Sequence, residues 1–592
     1  MLFFYVVSFI FKTLFMQKSF SLIAVFFCLS LYGQPGLEQL KSITNVNLVD
    51  VVNQKIIPGA TVSYAYGKIQ GITTGKKIAP GSAVIDGTGK YLIPGMTDAH
   101  IHFFQSGGLY TRPDAIDLKK FVPYEKEIEN GKKEMADVMK YNIYNGITSV
   151  IDVGATYNLL NERKKYTDSS FAPAVYMTGP LLTTYEPEAF KGLGNDRPFS
   201  LVKTEDEARK MVQEQLPYKP DFIKIWYIVL GKNKEEVARK HLPVIKAVID
   251  EAHKNNLKVA VHATERIAAQ LSVENGADFL VHSVEDEVIG DDFVKLLKDK
   301  KTVLCPTLVV YGNYNKVFGQ EYHFHASEFE RSDPHTLGTL FDLQHLPDPR
   351  IKMYRDGTRK GKAADKTQDS ICMANLKKLS DAGVRIAAGT DAGNIGTLHG
   401  GSYITELLKM KEAGMSNWQV IQSATINPTY ILSKEKETGS IAKGKTADLV
   451  LLDANPLDDL NNLSKINTVI NKGNIIMPDS LIKETPLALV QRQLNAYNAR
   501  DLEAFIEPYA DDVELYDYKT GKLLGKGKEG MRRDYAFFKQ VPDLHCEIKA
   551  RIVQGNIIID KENVTGFGGP AMQATAIYHI ENNKISKVYF IE

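Results

Sequence analysis

The stretch "IPGMTDAHIHFF" places His100 and His102 two apart at the end of an apolar run. In an extended strand, residues i and i+2 point to one face, so both imidazoles can reach a single ion. The pair can equally be two satisfied polar residues of a strand, because a lone His-x-His carries little specificity. Further groups able to ligate an ion or move a proton lie far along the chain: Lys224 in "DFIKIW", His262 in "LKVAVHA", His282 in "DFLVHSV" and Asp391 in "AAGTDAG". Each stands at or near the end of a short apolar run. Taken singly, a buried lysine or a strand-end histidine is a core polar group; six such positions together are not comfortably explained that way.

The elements that would position them have a regular rhythm. Apolar runs of strand length occur at 91 to 101, 147, 174, 221, 257, 278, 302 and 385, eight in all, and longer helical patterns separate them. One of these, "LPVIKAVIDEAHKNN", puts Val244, Ala247, Val248 and Ala252 on one helix face. Eight βα units with strands apolar on both sides predict an α/β fold, a (β/α)8 barrel spanning 94–434, whose function gathers at the C-terminal ends of its strands. The six residues above fall at those ends. Before the barrel, Gly-punctuated strand-like sequence predicts a small β-structure, expected to pair with sequence after the barrel as a composite β-sandwich of 34–93 and 435–480.

The chain has 592 residues, which predicts about three folded units. At 44% hydrophobic, 24% charged and net +1, it carries no nucleic-acid footprint. Its four cysteines, Cys28, Cys305, Cys372 and Cys546, have no close spacing and read as structural. Residues 1–33 combine Lys18, an apolar run from Phe20 to Leu31 and Gly33, the layout of a cleaved secretory signal. The expectation is export to the periplasm or the outside, with no stable membrane insertion after cleavage.

In the order His-x-His, Lys, His, His, Asp, the chain resembles the amidohydrolase superfamily. "LIPGMTDAHIH" is similar to its strand-1 motif, "AAGTDAG" to its strand-8 motif, and "GSIAKGKTADLVLLDANPL" to its return to a β-sandwich. The resemblance covers about residues 40–480 and is strongest to the imidazolonepropionase-like and Xaa-Pro dipeptidase-like branches, including "HGGSYITELLKMKEAGMSNWQVIQSATINP". It implies that His100, His102 and Asp391 hold one metal, His262 and His282 a second, and Lys224, carboxylated by carbon dioxide, bridges them. Zinc suits such ligands, two ions per chain, and other divalent metals are acceptable to them. The implied reaction is hydrolysis of an amide-type C–N bond in a small molecule (a dipeptide, N-acyl amino acid or cyclic amide) by a metal-bridged hydroxide, with Asp391 as the catalytic proton carrier. Lactone or ester hydrolysis on the same site is the alternative. His399, just past strand 8, and Tyr227, three residues after Lys224, are candidate substrate contacts. An insertion at 309–384 reads as a lid or specificity element; its His323 and His325 repeat the His-x-His spacing in polar sequence, where no metal role is expected.

After "MPDS", residues 485–592 read as helices followed by alternating strands, similar to the nuclear transport factor 2-like, or ketosteroid-isomerase-like, cone fold. That fold makes a pocket and often dimerises, so a homo-oligomer through this domain is an expected partner. Asp517, His545 and His579 are its candidate pocket residues, each equally accounted for as a solvated or packed polar group. A second functional reading places binding or isomerase activity here, beside a non-catalytic barrel.

Overall fold

The computed structural model describes residues 39–75, 78 and 82–591. The signal-like segment 1–33, with Cys28, lies outside them. Among the described residues no helix is long and apolar enough to cross a membrane, and Cys305, Cys372 and Cys546 are buried and unbridged.

Sequence from both sides of the large middle section meets in one eight-stranded sheet. Strand Tyr91–Pro94 pairs antiparallel with Leu449–Leu452, matching Leu92 with Leu451 and Ile93 with Val450. These strands alternate or run continuously apolar, and Leu92, Leu449 and Leu451 join Ile43, Val46, Val62 and Ile470 in one core. Gly95 then donates to the Asp448 carbonyl at 2.8 Å, which fixes where the next strand starts.

That strand, Met96–Ile101, opens a parallel sheet with Ile147–Asp152 and Ala174–Met177. A second sheet contains, in order, Phe199–Leu201, Leu181–Thr183, Phe222–Trp226, Lys258–His262, Phe279–Val281 and Val303–Cys305. Two junctions link them. The Asp221 amide donates to the Met177 carbonyl at 2.9 Å. On the other side the segment 385–392 bridges in parallel to Leu304 through Ile386 and to Ile101 through Ala392. Helices cover the outer faces, as parallel strands without solvated sides require. In helix Lys234–Lys254, Val244, Ala247, Val248 and Ala252 are all buried, as their spacing predicts.

The expected insertion forms helices Leu308–Phe318, Ala326–Glu330 and Pro334–Thr339, then the long helix Pro349–Asp381. His325 caps the short helix at Ser327 and Glu328, and His323 is exposed. The C-terminal unit is a six-stranded sheet with helix Pro486–Ala499 packed on it. Its core is continuous with the insertion: Leu489, Val490 and Leu494 cluster with Leu337, Leu340 and Phe341, and the Asn495 side-chain amide donates to the Pro334 carbonyl at 2.7 Å. Its three candidate pocket residues are dispersed. Asp517 caps a turn at Thr520, His579 lies edge-on to Tyr589, and His545 stacks on His345 of the insertion with ring nitrogens 2.9 Å apart.

Burial, with His345 and Arg500 nearby, pushes the His545 ring down to about 3. The folded state therefore resists protonation that the unfolded chain accepts below its ordinary value of about 6.5, and stability falls as pH drops through that interval. His545→Gln cannot titrate, so its thermal midpoint will fall less than that of the unmodified protein between about pH 6.5 and 4; parallel pH curves would refute the coupling.

Candidate metal centre

The site is built where the 385–392 segment presses against Met96–Ile101. The Asp98 carboxylate, fully buried, accepts from the Thr390 hydroxyl at 2.7 Å, the Thr390 amide at 3.0 Å and the His100 amide at 3.2 Å. It thereby ties the first strand to the last segment directly beside His100 and Asp391. Glycine makes the approach feasible. A Cβ on Gly389 would lie 2.4 Å from Cys305 Sγ and 2.7 Å from the His100 nitrogen, and one on Gly393 would lie 2.6 Å from the His102 carbonyl oxygen. Asp391 itself adopts φ +61°, a left-handed conformation that an L residue holds only under structural constraint. His102 is oriented from behind by Nδ1 on the Gly154 carbonyl at 3.0 Å, and Asp152 holds the Gly154 and Phe103 amides at 3.0 and 3.2 Å.

These constraints bring three ligating atoms together. His100 Nε2 and His102 Nε2 each lie 3.1 Å from Asp391 Oδ1 and 3.3 Å from each other. Ligands bonded tetrahedrally to zinc at about 2.0–2.1 Å stand about 3.3 Å apart, so the spacing is that of a coordination shell. Asp391 Oδ1 is buried without a hydrogen-bond partner, a costly condition unless a ligand satisfies it. His282 joins them: His100, His282 and Asp391 each offer a ligand atom within 4.8 Å of the others. Its Nδ1 meets Thr307 Oγ1 at 2.7 Å, leaving Nε2 for the cavity. The His262 ring lies 4.4 Å from that of His282.

Lys224 completes the group. It is 1% exposed, lines the same cavity as the four histidines and Asp391, and burial pushes its amine down to about 7. Burial also drives His262 and His282 well below the usual imidazole range, with the Lys224 charge acting on both. Neutral imidazoles are the form that binds metal. Burial works against ionisation of Asp391, but His100 and His102 prevail and hold it well below the usual carboxylate range. The donor set of imidazoles, carboxylate and an amine open to modification fits divalent metal.

The cavity over this group is about 420 Å³, with Phe104, Phe199 and Trp226 as apolar wall and Arg112, Glu285 and Tyr314 as polar lining. Arg112 bonds Asp114 through Nε at 2.8 Å and Nη2 at 2.6 Å, and reaches Asn394 Oδ1, which also accepts from Tyr314 Oη at 2.7 Å. The insertion helix Leu308–Phe318 thus reaches the cavity through Tyr311, Tyr314 and Phe318. Two expected substrate contacts are corrected. Tyr227 is fully buried and bonds the Ala238 carbonyl, away from the cavity; strand alternation puts Trp226, in phase with Lys224, on the inner face instead. His399 bonds the Gln105 carbonyl at 3.0 Å and faces a neighbouring cavity. Asp98 and Arg112 were not identified from sequence. The place of Asp98, two residues before His100, is the signal that could have found it; Arg112 in "LYTRPD" has none.

The chain belongs to the amidohydrolase family, whose model matches residues 91–476. A SnoaL-like domain model matches 490–588, the C-terminal unit of nuclear transport factor 2-like type. Ochratoxinase from Aspergillus niger is 23% identical over 389 residues, covering 62% of this chain and 71% of that protein. Imidazolonepropionase from Thermoanaerobacter pseudethanolicus is 23% identical over 448 residues, covering 72% of this chain and 92% of that protein. The crystal structure of a Xaa-Pro dipeptidase with bound methionine in the active site shares the fold, with TM-score 0.56, 21% identity, and coverage of 74% of this chain and 100% of that one.

If Asp98 clamps the two strands, Asp98→Ala should lower unfolding free energy by about 1–3 kcal/mol, as expected when buried donors lose their acceptor. Urea titration reads this. An unchanged midpoint and slope would show that the strands are held otherwise.

Proposed function

We propose that this protein is a metal-dependent hydrolase of an amide-type C–N bond, and that its parallel strands form a closed (β/α)8 barrel with the catalytic centre at their C-terminal ends. The barrel reading is supported by the hydrogen bonds at both sheet junctions and by the 385–392 segment as eighth member. The domains are then the β-sandwich of 34–93 with 435–480, the barrel of 94–434 and the C-terminal domain of 485–592. The observation that carries the function is the packing of His100, His102 and Asp391 at ligand spacing beside buried Lys224.

His100, His102 and Asp391 would hold one zinc ion and His262 and His282 a second, with carboxylated Lys224 between them. When bound, the ions supply Lewis-acid polarisation of the substrate carbonyl and acidify a water molecule. Burial lowers the Lys224 amine and so raises its share of the neutral form that reacts with carbon dioxide, which supports its carboxylation. Asp391 takes the proton of the attacking water on one carboxylate oxygen and hands it to the leaving nitrogen. Phe199 and Trp226 offer an apolar surface to the acyl or side-chain portion of the substrate. Arg112 and Glu285, both on the lining, favour a small substrate bearing charge, such as a dipeptide or N-acyl amino acid.

The test couples metal analysis with turnover. Reconstituted with zinc and bicarbonate, the protein should retain about two ions per chain and hydrolyse members of a panel of Xaa-Pro dipeptides, N-acyl amino acids and hydantoin-like rings. Lys224→Ala should retain one ion or none and lose most turnover. Metal content of zero after reconstitution, or full metal and turnover in Lys224→Ala, would contradict the proposal; turnover confined to lactones would move it to the ester reading.

A further inference from the structure

A second cavity, of about 440 Å³, lies beside the metal centre between helix Tyr124–Tyr144, the turn at 333–336, the loop at 398–399 and the linker at 481–483. The linker, through Leu481, Ile482 and Lys483, forms one wall just before the C-terminal domain begins. Neither the hydrolytic reaction nor the ligand set uses this space.

Its chemistry is one-sided. Three carboxylates face it, Glu134, Asp137 and Asp333. Asp137 is paired with Lys140 at 2.7 Å. Asp333 caps helix Pro334–Thr339, accepting from the His335 and Thr336 amides and the Thr336 hydroxyl, with no cation paired to it among the described residues. Among the described residues Glu134 forms no ion pair within about 4.0 Å, although the Lys133 charge acts on it and Lys483 stands elsewhere on the lining. Burial, with Asp333 close by, pushes the Glu134 carboxyl above its usual range. The rest of the lining includes the rings of Phe103 and Tyr141 and the side chains of Val138 and Leu398.

Two buried acceptors on this lining also lack donors. His399 Nδ1 has no hydrogen-bond partner, and neither does Gln105 Oε1; the residues are 6% and 3% exposed. Because His399 Nε2 donates to the Gln105 carbonyl, its Nδ1 is the lone-pair nitrogen and needs a donor. Buried acceptors without donors are uncommon in folded proteins, and here they belong to residues in the wall of an acidic, ring-lined space of ligand size.

We propose that this cavity is a second binding site, for an organic ammonium ion carrying an apolar arm. The ammonium would sit by Glu134 and Asp333, with Phe103 and Tyr141 offering ring faces to the cation and arm. The site is joined to the metal centre physically. Gln105 lines both cavities, and the Phe103 amide is bonded to Asp152, which flanks His102.

The probe is 2-phenylethylammonium, with 2-phenylethanol as its uncharged counterpart, each titrated calorimetrically into the full zinc-loaded chain. The amine should bind once per chain and at least about tenfold more tightly than the alcohol. Glu134→Gln should weaken the amine about tenfold and leave the alcohol unchanged, Val138→Trp should exclude both by filling the space, and Trp226→Ala in the catalytic cavity should leave amine affinity intact. Absence of amine binding, equal binding of amine and alcohol, or amine affinity lost in Trp226→Ala but kept in Glu134→Gln would overturn the proposal.

Discussion

The buried Asp98 carboxylate is the constraint on which the rest of the site depends. Its bonds to Thr390 and to the His100 amide bring sequence from opposite ends of the α/β unit into one hydrogen-bonded layer. Gly389 and Gly393 permit backbone contact that any Cβ would block. With these in place, Asp391 has little choice of conformation, and its left-handed backbone aims the carboxylate at His100 and His102. Removal of one clamp would therefore disturb ligand geometry without touching a ligand.

The catalytic cavity is likewise assembled from elements distant in sequence. The insertion supplies Tyr311, Tyr314 and Phe318 to the lining, and its other face merges with the core of the SnoaL-like domain. Movement of that domain would be felt at the cavity through a continuous apolar core, because packed interiors transmit displacement poorly absorbed by voids. This gives the fused domain a structural relation to the site. Its own interior is filled by a bonded chain of Tyr509, Gln493, Tyr578 and Glu562.

Residues whose role follows from type and strand position were legible in the sequence. His100, His102, Lys224, His262, His282 and Asp391 were found because each is a polar group ending an apolar run, and all six line one cavity. The buried face of helix Lys234–Lys254 was legible for the same reason of periodicity. Tyr227 was misassigned because proximity to Lys224 in sequence is no guide to facing; an odd offset on a strand reverses the side. His399 was misassigned because loop geometry beyond the eighth segment has no period to read. Arg112 escapes a local reading because its ion pair with Asp114 is ordinary surface chemistry, while Asn394, the contact that holds it at the cavity, lies more than two hundred residues away, and the docking of His345 on His545 is a tertiary contact that neither local sequence announces.

X-ray absorption on the zinc-loaded protein tests the central claim, that side chains from five strand ends form one metal centre. The spectrum should show a nitrogen and oxygen shell at about 2.0–2.1 Å with imidazole scattering beyond it, and a metal–metal vector of about 3.5–4 Å. A shell of oxygen alone, without imidazole, or sulfur at about 2.3 Å from the nearby Cys305, would contradict it.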